Sequence, residues 1–167
     1  MAITSIHLLL DALETRIATI TPDVAPDMLF RPCGDSAPLD LQTFGDRYDG
    51  CRRYEVTPGL LAGFQAAQVQ NWNGDLLMLS DTVEIAVRYE MASGDGALRH
   101  LKRMIASDQH LIIRAIHPLY EDYTSPIILH DIFPTGTVQV VEIDNSAESI
   151  ARIIKIQFGL TTSLGDP

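Results

Sequence analysis

Residues 81–118 read DTVEIAVRYEMASGDGALRHLKRMIASDQHLIIRAIHP. In residues 81–91, Val83, Ile85, Val87 and Tyr89 fall on one side, and Thr82, Glu84, Ala86, Arg88 and Glu90 on the other. That two-residue period is the mark of a half-buried strand. Ser93-Gly94-Asp95-Gly96 then breaks the strand. From residue 96 the spacing changes to that of a helix, with Leu98, Leu101, Ile105, Ile112 and Ile116 inward and Met104 and Leu111 beside them. The helix ends before Pro118, because the residue preceding a proline avoids the α region. The stretch defines architecture and carries no catalytic signature. Its cations Arg99, Lys102 and Arg103, with His100, crowd the first two turns. There they face the positive end of the helix dipole, a mildly unfavourable place that raises the question of an acidic partner. A plain solvated face accounts for them as well.

Upstream, residues 3–20 carry Ile6, Leu9, Leu10, Leu13, Ile17 and Ile20 at helical spacing. Thr4 or Ser5 can cap this helix, and Thr21-Pro22 ends it. Residues 21–50 are broken by Pro, Asp and Gly and keep no period. So long a loop is unusual inside a compact domain. Met28, Leu29, Phe30, Leu39, Leu41 and Phe44 argue against a solvated linker. Two readings stay open: an extended segment packed along its own domain, or an arm that orders against a neighbouring subunit. On the second, Met28, Leu29, Phe30 and Phe44 are candidate interface residues, together with Arg99, Lys102 and Arg103.

Residues 52–57 read as a short strand, 60–72 as either helix or strand, and 76–79 as the start of another strand. Downstream, Ile127 to Phe133 and Thr137 to Ile143 read as two strands of a hairpin turned at Pro134-Thr135-Gly136. After Asp144-Asn145-Ser146, Ile150 to Thr161 reads as the last strand, with Ile150, Ile154, Ile156, Phe158 and Leu160 set against Arg152, Lys155 and Thr161. The expected fold is a single α/β (α+β) domain over residues 1–167. A mainly antiparallel or mixed sheet carries two helices on one face, with the long loop or arm at about 21–50.

Composition narrows the function. A hydrophobic share of 46% suffices for a core. No apolar run approaches the roughly 18 residues of a membrane span. The first residues lack the basic region and cleavage site of a secretory signal, so folding in the cytoplasm is expected. The net charge of −10 argues against general nucleic-acid binding, which needs cations to displace counterions. No phosphate-binding glycine loop, nucleophile elbow or zinc motif is present, and no metal or organic cofactor is expected. Gly94-Asp95-Gly96 lacks the third spaced glycine of a dinucleotide fingerprint. His117, His130 and Asp131 form a ligand set only if the chain folds back, and scattered histidines are the commoner case. Glu121 and Asp122 read as ordinary loop carboxylates, and Tyr120, Tyr123 and Trp72 as half-buried aromatics or interface anchors. Cys33 and Cys51 read as free thiols, with a bridge between them left open by their spacing; Arg52 and Arg53 beside Cys51 would lower its pKa, but no base partner is identifiable.

The order of elements resembles a known family. The helix at 3–20, the strand TVEIAVRYE, the helix ALRHLKRMIASDQHLIIRAI and the closing VQVVEIDNSAESIARIIKIQFGLTT look like tail terminator and tail-completion (neck) proteins of tailed bacteriophages. The likeness covers residues 3–20 and about 80–162. It implies a small structural protomer without catalytic residues, made in the host cytoplasm and built into the virion as a closed ring, commonly a hexamer. The ring would cap the tail tube protein and meet the head connector, with DNA passing through its lumen without specific binding and no membrane involved. An acidic lumen suits sliding DNA. A head–tail adaptor or tail-tube-like protein is the nearest alternative. A small enzyme or ligand-binding α+β domain with a site in residues 21–76 is the alternative of another class.

Overall fold

The computed structural model describes residues 6–33, 52–58, 70–72, 76–117, 128–146 and 148–164. Helix α1 spans Ile6–Ala18 and α2 spans Ala97–Ile116. The strands are β1 (Arg31–Pro32), β2 (Arg53–Pro58), β3 (Gln70–Trp72), β4 (Leu76–Ala92), β5 (Ile128–Asn145) and β6 (Ser149–Leu164). They form one mixed sheet in the order β1-β2-β4-β6-β5, with β3 paired to the start of β4. Only β1 and β2 run parallel.

The alternation in β4 decides the two faces. Val83, Ile85, Val87 and Tyr89 are fully buried and share one core with Leu9, Leu13 and Ile17 of α1 and Leu101, Met104, Ile112 and Ile116 of α2. Both helices therefore lie on the same face. α1 covers β1 and β2, while α2 covers β4 and β6. Each fully buried aliphatic side chain contributes about 1.5–3 kcal/mol, against about 1 kcal/mol or less for an exposed ion pair, so this layer decides stability. On the opposite face, Ala86 and Ile153 form a second small cluster against which Cys33 packs.

Several sequence expectations are corrected. Residues 127–143 do not form a hairpin. Both flanks of Pro134-Thr135-Gly136 pair with the same strand β6, so the chain continues as a single strand β5. The turn residues are absorbed as a bulge between Pro134 and Val138, with Gly136 at φ 81. The Thr135 hydroxyl donates to the Gln157 carbonyl at 3.2 Å and pins the bulge. The two strand starts at 76 and 81 join into one β4. Arg152 belongs with the inward set and not with Lys155, because its register places it opposite Tyr89. There it is nearly buried and bonds Glu142 of β5 at 3.1 Å.

In α2 the inward stripe differs at two positions. Leu98 is exposed, and Asp108 is fully buried in its place. The segment after α1 packs on its own chain as far as residue 33: Ile20 and Phe30 enter the core and Met28 packs against it. The packed-segment reading holds there; residues 34–50, with Phe44, lie outside the described residues. Within β6, Gly159 leaves room for the Phe133 ring to lie against the strand. A Cβ at that position would meet the Phe133 ring of β5 at 2.7 Å.

Candidate interaction surfaces

A buried ion pair organises one side of the molecule. Arg52 and Asp108 are both fully inaccessible. The Arg52 guanidinium donates to the Asp108 carboxylate at 2.6 and 3.1 Å. It also donates to the carbonyls of Ala25 at 2.9 Å, Met28 at 2.7 Å and Val24. Its face meets the Phe30 ring with 5.6 Å to the centroid. One cation thus joins the 24–28 turn, the entry to β2 and α2. Burial pushes the Asp108 carboxyl up, with the Arg52 guanidinium and the Tyr89 hydroxyl pulling the other way. Beside this node the Tyr54 hydroxyl donates to the Glu14 carbonyl at 3.0 Å. Burial, and then the Glu14 charge, push Tyr54 up to about 12.

This node is scaffolding, because no open space reaches its charges. Its inward pull on three carbonyls leaves the side chains of the same turn outside: Asp23, Asp27 and Leu29 are exposed. The Asp23 carboxylate accepts from the Ser107 hydroxyl of α2 at 3.5 Å.

A second surface is different in character. Leu98, Arg99, Lys102, Arg103 and Ala106 line an open groove along α2. By helical spacing Leu98 and Lys102 lie on the flank away from Ser107 and the 23–29 turn, while Arg99 and Arg103 stand on the row that leads to Ser107. Among the described residues the exposed Lys and Arg side chains are Arg31, Arg99, Lys102, Arg103 and Arg114, so three of five sit in this one groove. β5 is the outer strand of the sheet. Neither helix covers β5. Phe133, Val140, Val141 and Ile143 are exposed on it, Val140 at 58%. Among the described residues, no strand pairs with its outer edge.

The sequence-derived interface residues divide accordingly. Phe30 is corrected to a core residue under Arg52, and Met28 packs partly into the same core. Leu29 is exposed at 51%. Arg99, Lys102 and Arg103 are exposed together. Among the described residues no group of three His, Cys, Asp or Glu side chains is placed to hold a metal. His117 is exposed at the end of α2, and the side chains of His130 and Asp131, like Cys51, lie outside the described residues. No described helix is long and apolar enough to cross a membrane.

Sequence reading missed Arg52, Asp108 and the exposed half of β5. Asp108 did carry a signal: it stands seven residues after Leu101 and four before Ile112, on the inward stripe. A carboxylate there demands a buried cation, and Arg52 is that cation. The chain matches no protein-family model and no curated protein.

Proposed function

We propose that this chain is a tail terminator or tail-completion protein of a tailed bacteriophage, made in the host cytoplasm and assembled into the virion as a closed ring, commonly a hexamer. The ring caps the tail tube, stops its growth and meets the head connector. The observation that carries this reading is a protomer with two unlike sides. The apolar outer strand β5 ends the sheet on one side, the short exposed strand β1 with the acidic 23–29 turn before it ends the other, and α2 carries a basic flank. Unlike sides on one chain make head-to-tail contacts, which close into a ring when the rotation between neighbours allows it. An open strand edge is a ready contact for a further chain. The charge of −10 supports a lumen that DNA slides through without sticking. The reading assigns no chemistry to any residue.

Light scattering and negative-stain imaging of the purified protein, alone and with tail tubes, test it. Rings that cap tube ends are expected. A monomer at every concentration, with no affinity for tube ends, would overturn the reading.

A further inference from the structure

We propose that neighbouring copies of this chain join through the basic flank of α2 on one protomer and the acidic 23–29 turn on the next. This rests on the ring reading and specifies its contact. The two surfaces are distinct patches of the same protomer, one centred on Leu98 and Lys102 of α2 and one on the 23–29 turn. The turn belongs to the side where α1 covers β1 and β2, and Asp23 reaches α2 at Ser107. The groove centres on Leu98 and Lys102, whose flank of α2 turns away from Ser107. A head-to-tail contact needs two such different patches.

Their chemistry matches. The groove offers Arg99, Lys102 and Arg103 with Leu98 exposed at 37% between them. The turn offers Asp23 and Asp27 with Leu29 exposed at 51%. Each is an apolar side chain set among charges of one sign, and the signs are opposite. Arg31 beside the turn and Asp95 beside the groove weaken the match without reversing it. The turn is also held in shape. Arg52 ties its carbonyls inward from Val24, Ala25 and Met28, so little order remains to be gained on contact. For a chain of charge −10, most approaches between copies are repulsive. A basic patch facing a carboxylate turn selects one approach among them.

Charge reversal tests this in the full chain. One variant carries Arg99→Glu, Lys102→Glu and Arg103→Glu; a second carries Asp23→Lys and Asp27→Lys. All five side chains are exposed, and circular dichroism checks that each variant folds. Each alone should need a protein concentration on the order of tenfold higher, or more, to assemble. Mixed one to one, the two variants should assemble again, since every contact in an alternating ring then pairs opposite charges. Raising salt should loosen the wild-type assembly, a reading that needs no variant. Wild-type rings together with variants that assemble equally well, or a mixture that fails, would overturn the contact and leave the ring reading standing. Wild-type assembly indifferent to salt would do the same. A wild type that stays monomeric would overturn both.

Discussion

Strands β4 and β5 have nearly the same length and similar aliphatic content, yet opposite fates. In β4, Val83, Ile85 and Val87 are fully buried; in β5, Val140 is 58% exposed and Val141 38%. The difference lies in sheet order and not in the residues. β4 sits between β2 and β6 and lies under α2, whereas β5 is outermost and enters the core only with Ile132 and, in part, Val138. Even the register agrees: Val87 and Val140 both pair with Ile154, one from each side, and so share a face of the sheet. One residue type on one face is thus core on β4 and surface two strands away on β5.

The sharpest way to break this comparison is to place a charge at both positions. Val87→Asp should abolish the fold, with a loss above about 4 kcal/mol, because its carboxylate enters a dry core. Val140→Asp should change stability by no more than about 0.5 kcal/mol. Urea unfolding compares them, and equal losses would mean that β5 is covered by its own chain.

A smaller effect is expected at the ion pair that fastens the covered side. Asp108→Ala should cost about 3–5 kcal/mol, since it strands the Arg52 cation without its carboxylate. Asp108→Leu combined with Arg52→Met should lose less than the sum of the two single changes. Additive losses in the denaturant midpoints would show that the two side chains do not act as a pair.

The smallest effect is in pH. Tyr54 is raised from 10.0 to about 12 in the folded protein, so its contribution is complete below pH 10. It is lost as pH rises toward 12, and the full loss is on the order of 3 kcal/mol. Stability of the wild type should therefore fall through this window more steeply than that of Tyr54→Phe. Parallel curves would remove Tyr54 from the covered side's account.

Local pattern carried most of the fold. The helices at 6–18 and 97–116 and the core face of β4 follow from periodicity, because burial imposes those periods. The β5 bulge was illegible for a physical reason. Pro134-Thr135-Gly136 has the chemistry of a reversal, and whether its flanks pair with each other or with a third strand depends on residues far along the chain. The same holds for Arg52. Beside Cys51 it reads only as a cation that would lower a thiol pKa, while its partner Asp108 lies 56 positions away on another element. Of the candidate surface, the cations of α2 were legible because they adjoin in sequence. The exposed valines of β5 were not, since nothing local separates an outer strand from an inner one.

The sheet order also governs the timing of folding. β6 lies between β4 and β5 and is the last strand in sequence. β5 and β6 adjoin through a short turn, where Ser146 and Ser149 exchange hydrogen bonds. That pair closes locally, and hairpins of this kind form within microseconds. The ladder that joins Val83 to Phe158 instead closes a loop containing all of α2, a slower event governed by chain topology. During synthesis β4 therefore waits with its inner edge open until β6 has left the ribosome. In that interval a stretch that is core in the finished protein stands open to aggregation.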